Sequence, residues 1–192
     1  MGERVGVFGG TFDPVHVGHL VAAANVRHAL GLDRVLLVVA NLPWQKGDRM
    51  LTPAEDRLAV VEAAVEGAAG LEASRLEIDR GGESFTADTL EELMAADPAR
   101  ELFLVVGADV AAELATWRRV DVVAALATLV VVTRGGVPRP QLGPQWRTER
   151  VEIPALELSS SELRSRQAAG RPLDFLIPRA AIDCIRRRNL YA

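Results

Sequence analysis

The chain has 192 residues, 49% of them hydrophobic and 25% charged, with a net charge of −4. That balance suits one globular domain, 1–192, with a substantial core, and nothing in it suggests disorder. A net negative protein lacks the global field of a general nucleic-acid binder, so any phosphate must be held by a local cluster. Met1 to Leu20 lacks the uninterrupted apolar core of a signal peptide, and no run approaches the ~18 apolar residues of a membrane span. Neither nucleic acid nor a membrane is expected as a partner. Cys184 stands alone, which rules out an internal disulfide and fits a reducing cytoplasm.

The opening stretch, Val5 to Leu20, reads VGVFGGTFDPVHVGHL. Val5, Val7 and Phe8 predict a short buried strand, and Gly9 and Gly10 a bend where another group can lie against bare backbone. Asp13 before Pro14 is a helix-start signal, with a helix continuing over about Val17 to Leu30. Arg34 to Ala40 is a continuous apolar run of the kind found in a parallel strand covered on both faces, and it leads into a proline- and glycine-punctuated loop, Asn41 to Gly47. Thr52-Pro-Ala-Glu55 has a capping-box pattern ahead of a helix through Leu58, Val61 and Val65. A strand is expected within Leu71 to Asp79 and a turn at Arg80 to Ser84. Ser84-Phe-Thr86 opens a helix reaching about Ala96, with Thr86 as its cap.

Glu101 to Val106 predicts a third strong strand, running into Gly107-Ala-Asp109. Trp117 falls between two short helical pieces, and Thr128 to Thr133 forms another buried strand. Residues 135 to 149 carry three prolines and three glycines and read as an exposed loop. Val151 to Ile153 is a short edge strand, Ser159-Ser-Ser-Glu-Leu-Arg164 a serine-capped helix start, and Pro178 the beginning of a last helix ending near Asn189. Strands alternate with helices throughout, so the class is α/β with a mainly parallel sheet.

The chemistry concentrates at two helix starts. His16 and His19, three residues apart, share a helix face beside unpaired backbone N–H groups, an arrangement that attracts anions, and Gly18 between them would let a bulky anion approach the backbone. Ser160, Ser161 and Arg164 offer a second phosphate cradle. A zinc site of His16, His19 and Asp13 is less well supported, since no cysteine or further histidine completes it. All but one of the 22 basic residues are arginine; the exception, Lys46, has a compact ammonium suited to a mobile phosphate tail. No Gly-x-Gly-x-x-Gly follows the first strand and no P-loop pattern exists, which disfavours a dinucleotide dehydrogenase and a P-loop enzyme. No serine sits in a nucleophile elbow.

GGTFDPVHVGHL together with LSSSELR resembles the nucleotidylyltransferase superfamily, and within it the chain is similar to the bacterial nicotinate mononucleotide adenylyltransferases. Ser84-Phe-Thr86, Gly107-Ala-Asp109, Thr116-Trp117 and Asn189-Leu-Tyr191 support the narrower resemblance, which covers nearly the whole chain. It implies a doubly wound, Rossmann-like sheet with helices on both faces, its C-terminal helical part (155–192) carrying the Ser-Ser-Ser-x-x-Arg motif. It also implies ATP and nicotinate mononucleotide as substrates, with Mg²⁺ carried on the ATP phosphates rather than by side chains.

Position by position, the resemblance puts His16, His19, Lys46 and Arg164 in the catalytic set, with Ser160 and Ser161 cradling the triphosphate. Gly9, Gly10, Thr11, Phe12 and Gly18 would border the nucleotide crevice, Gly107 and Asp109 would meet adenosine, and Thr86 and Trp117 would fix the pyridine, with Thr11 nearby on the mononucleotide. Where many members carry Pro-Pro-His-Lys, this chain has Pro43-Trp44-Gln45-Lys46, a variant similar to the actinobacterial branch. Two alternatives stay open: another small-molecule adenylyl- or cytidylyltransferase of the superfamily, and a non-catalytic nucleotide-sensing module. A homo-oligomer is compatible with the sequence.

Overall fold

Six strands form one all-parallel sheet in the computed structural model, which describes residues 2–43, 51–134 and 142–192. β1 (Arg4–Gly10) lies between β2 (Arg34–Val39) and β6 (Glu101–Gly107). β4 (Leu71–Ser74) pairs outside β2, while β7 (Ala127–Arg134) and β8 (Thr148–Ile153) extend the other side. The order β4-β2-β1-β6-β7-β8 reverses direction of growth between β1 and β6, the doubly wound topology in which ligands settle at the carboxyl ends of the strands flanking the reversal.

The strands read as near-continuous apolar runs because both faces are covered. Val35, Leu37, Val39, Phe103, Val105, Val130 and Val132 point into one core, with α1 (Val17–Leu30), α2 (Ala54–Val65), α7 (Ser160–Ala168) and α8 (Arg179–Arg187) packed over it through residues such as Val26, Leu58, Val61, Leu163 and Ile182. Alternate residues, among them Val5, Val7, Leu104 and Val131, point into a second core under α4 (Thr86–Ala96), α5 (Ala108–Ala112) and α6 (Val120–Leu126). Among the described residues no helix is long and apolar enough to cross a membrane.

Several boundaries differ from those the sequence suggests. β1 runs through both glycines, with Gly9 opposite Val38 and Gly10 opposite Val39, instead of ending at Phe8. The first helix is capped by His16, not Asp13: Phe12 takes a left-handed φ of 48°, and the chain turns through Asp13 and Pro14 before it winds. The Thr52 capping box does not form: Pro53 occupies the cap, and the Thr52 carbonyl instead accepts from Arg57. Thr86 is the first residue of α4 and Phe85 its cap. The stretch 71–79 divides into β4 and a short helix α3 (Leu76–Arg80). A two-stranded ladder of β3 (Leu42–Pro43) with β5 (Glu83–Ser84) has no period-2 pattern long enough to reveal it in sequence. Of the loop expected over 135–149, residues 135–141 lie outside the described residues, and β8 already begins at Thr148.

Candidate active site

Two adjoining cavities open at the carboxyl ends of β1 and β6. The larger, about 280 Å³, has Gly9, Gly10, Thr11, Thr86, Gly107 and Trp117 in its wall. The smaller, about 230 Å³, is bordered by Thr11, Phe12, Asp13, His19, Ser160, Ser161 and Arg164. Thr11 belongs to both, so the turn after β1 forms the partition between them.

The smaller cavity joins the two helix starts. Ser159 caps α7 by accepting the Glu162 backbone N–H at 3.2 Å. From the following turn, the Ser160 hydroxyl donates to the Pro14 carbonyl at 2.9 Å. Arg164 donates to the Asp13 carbonyl at 2.5 Å and to the Ser161 hydroxyl at 3.0 Å, with the Asp13 carboxylate 3.9 Å away. Residues far apart in the chain therefore converge on one concave surface that carries a guanidinium, an imidazole, two hydroxyls and the N-terminal end of α7. That combination suits a polyanion.

The two imidazoles differ in situation. Their ring centroids lie 3.8 Å apart and the planes are tilted by 30°. The His16 backbone N–H donates to Nδ1 of His19 at 3.2 Å, so neutral His19 carries its proton on Nε2. Phe12 stands edge-on to the His19 ring at 5.1 Å and fixes its tilt. His16 is 6% exposed and borders neither cavity. Burial, with the Arg134 charge adding to it, pulls its pKa down to about 4, so the ring is neutral at physiological pH. Its Nδ1 has no hydrogen-bond partner among the described residues.

Gly18 borders neither cavity; a Cβ there would stand 3.0 Å from the His16 ring, so the glycine makes room for that imidazole rather than for an approaching ligand. At Gly10 a Cβ would fall 2.8 Å from the Phe12 ring, which folds back over the end of β1.

In the larger cavity Thr86 stands at the start of α4, whose cap residue Phe85 has no side-chain hydrogen bond to offer the first-turn amides. Trp117 lines the same cavity; its Nε1 is buried without a partner among the described residues. In the wall, the Thr89 hydroxyl donates to Glu77 at 2.6 Å and accepts from Arg80 at 3.0 Å, and the Arg80 guanidinium, 3.9 Å from the Glu77 carboxylate, offsets the charge of the one acid lining this cavity. Gly107 borders the cavity, whereas the exposed Asp109 does not; its carboxylate folds back against Gly107. Lys46 and its neighbours Trp44 and Gln45 lie outside the described residues.

Two arginines not singled out from sequence belong to the surroundings. Arg118 lines the larger cavity with its guanidinium 4.7 Å above the Phe85 ring. Arg57, on α2, is 1% exposed and donates to the carbonyls of Thr11, Asn41 and Thr52. Its place on the Leu58–Val61–Val65 stripe was a readable signal, since an arginine on a core face needs buried acceptors.

The chain belongs to the cytidylyltransferase-like family, whose model matches residues 7–166. The match takes in every residue that lines either cavity. Among relatives, the chain is 44% identical to the probable nicotinate-nucleotide adenylyltransferase of Corynebacterium kroppenstedtii, over 98% of this chain and 90% of that one. It is also 44% identical to the protein of the same description from Streptomyces coelicolor, over 95% and 98% of the two chains. The fold is that of the nicotinic acid mononucleotide adenylyltransferase of Plasmodium falciparum, a structure complexed with NaAD: the TM-score is 0.79 at 18% identity, covering 98% of this chain and 97% of that one.

Proposed function

We propose that this chain is a nicotinate-nucleotide adenylyltransferase, joining the AMP portion of ATP to nicotinate mononucleotide to give the deamido dinucleotide and pyrophosphate. The observation that carries the reading is the shared cleft of His19 and Arg164, beside a second cavity that pairs an aromatic indole with an uncapped helix start. A triphosphate fits the first, and an aromatic ring bearing a carboxylate fits the second. The full-length likeness to relatives of that description supports the same substrates.

In the reaction an oxygen of the mononucleotide's 5′-phosphate attacks the α-phosphorus in line; the new P–O bond forms as the bond to the β-phosphate oxygen breaks, and pyrophosphate leaves with that electron pair. No residue need form a covalent intermediate. The protein's part is to bring two anions together and to meet the charge that grows on the phosphates. His19 presents an Nε2–H donor, while Arg164, Ser160 and Ser161 hold the departing phosphates. His16, neutral and enclosed, supports His19 by packing and through its backbone N–H. Lys46 is assigned to the phosphates and Gly9, Gly10 and Gly107 to the nucleoside walls. Thr86 and Trp117 take the pyridine, and Arg118, the one cationic side chain among the described lining residues, is available to its carboxylate.

Among the described residues no group of three acidic, histidine or cysteine side chains is placed to hold a metal. Asp13, the acid bordering the smaller cavity, faces Arg164. As the family resemblance implies, Mg²⁺ would be carried by the triphosphate, where it would neutralise charge. The substrates are soluble metabolites, and we place the reaction in the cytoplasm.

A substrate panel tests the assignment. Pyrophosphate release is measured with ATP and nicotinate mononucleotide, nicotinamide mononucleotide or phosphopantetheine in turn. The expected result is the highest kcat/KM with nicotinate mononucleotide. A preference for phosphopantetheine would move the protein elsewhere in the superfamily, and nucleotide binding without turnover would make it a sensor.

A further inference from the structure

We infer that Arg57 is a positioning residue for the phosphate-transfer site, one that touches no substrate but fixes the turn separating the two cavities. The inference rests on the proposed transferase reading for its kinetic consequence, and on geometry alone for its structural one.

Arg57 sits on the inward stripe of α2, and its exposed fraction is 1%. Its three nitrogens reach three separate segments: Nη1 donates to Thr11 at 2.7 Å, Nη2 to Asn41 at 3.0 Å and Nε to Thr52 at 2.8 Å. All three acceptors are main-chain carbonyls. Among the described residues no carboxylate comes within ion-pair distance, so the charge is satisfied by dipoles, with the Asp13 carboxylate contributing at longer range.

Such an arrangement is a poor way to gain stability. A buried cation loses several kcal/mol of hydration, and apolar side chains of similar volume usually do as well or better in its place. What an apolar residue cannot do is hold three loops in a fixed mutual relation. The planar fork of a guanidinium imposes direction on each bond, whereas an ammonium on a flexible stem does not.

The contact to Thr11 gives the clamp its functional reach. Thr11 is the residue common to both cavity walls. Two residues on, the Asp13 carbonyl receives Arg164. A displaced Thr11 would shift the partition between the two reactants and the anchor of the triphosphate cradle together. In-line transfer is sensitive to such errors: a misplacement of ~1 Å can cost on the order of 10²-fold in rate.

The test uses full-length Arg57→Lys and Arg57→Gln, each assayed well below its own Tm with folding confirmed by circular dichroism. Expected is a fall in kcat for pyrophosphate release of about 10²-fold, with KM for either substrate moving by less than about threefold. Millimolar guanidinium should restore part of the rate to Arg57→Ala, where equal concentrations of sodium chloride do not. Folded variants with wild-type kcat would overturn the inference, as would a loss confined to Tm. Should the lysine variant not fold, the glutamine variant gives the same readout. A non-hydrolysable ATP analogue titrated calorimetrically keeps the two proposals separable. If the wild type binds the analogue but releases no pyrophosphate from ATP and the mononucleotide, the transferase reading fails, and Arg57 is then judged on whether its folded variants lose binding enthalpy. Unchanged enthalpy would count against the clamp.

Discussion

Nη1 of Arg164 lies 2.5 Å from the main-chain oxygen of Asp13, joining the start of α7 to the turn that precedes α1. With Nη2 held by the Ser161 hydroxyl at 3.0 Å, the guanidinium is fixed at two points before any ligand arrives. Lysine cannot span both. Arg164→Lys should lower kcat/KM for ATP by roughly 10²-fold, the scale of one lost donor to developing charge. The side chain is partly exposed, so Tm should hardly move. Steady-state pyrophosphate release and a thermal melt on the same preparation check both statements; a large fall in Tm with unchanged kinetics would make the residue structural.

His19 offers the other donor. His19→Ala should cut kcat by roughly 10²-fold or more with the fold intact. The lost acceptor for the His16 N–H should cost about 0.5–2 kcal/mol, the usual range for a helix-start contact. A purified variant with near-normal turnover would remove His19 from the chemistry.

Trp117 should act on binding rather than on rate. Its ring borders the larger cavity, and aromatic pairing is worth ~0.5–1.5 kcal/mol. Trp117→Ala should raise the mononucleotide KM roughly two- to tenfold by that energy, with KM for ATP little changed. An unaltered mononucleotide KM would speak against stacking.

His16 makes stability depend on pH. Folded, it titrates at about 4; unfolded, at the ordinary imidazole value of 6.5. Between those values the unfolded chain binds the extra proton. The stabilisation is thus complete above pH 6.5 and is lost as pH falls to about 4, a change of about 3 kcal/mol. Denaturant midpoints measured from pH 7 to 4 should fall less steeply in His16→Gln than in the wild type. Parallel curves would contradict the burial assigned to this ring.

Much of the frame is legible from local pattern. Apolar runs such as Arg34 to Val39 declare parallel strands buried on both faces, and the serines at 159–161 declare the start of α7. What sequence misplaces is set by contacts between distant segments. Asp13 has the chemistry of a cap, yet the left-handed Phe12 and the bend at Pro14 hand the cap to His16. Thr52 has the pattern of a capping box, yet its carbonyl is taken by Arg57 from within the same helix. Gly18 suggests an opening for a ligand, whereas the space belongs to the neighbouring imidazole. Arg57 shows the limit most clearly. An arginine on an apolar stripe signals a buried partner, but that the partners are the carbonyls of residues 11, 41 and 52 follows only once β1, β2 and α2 have met.

The most direct measurement follows the α-phosphorus. ATP labelled at that atom is incubated with nicotinate mononucleotide and the full-length protein. The label should appear in the dinucleotide product while the unlabelled β- and γ-phosphates leave together as pyrophosphate, and His19→Ala or Arg164→Ala should each suppress the transfer. Label that stays in ATP, or that emerges as free AMP whether or not the mononucleotide is present, would contradict the account.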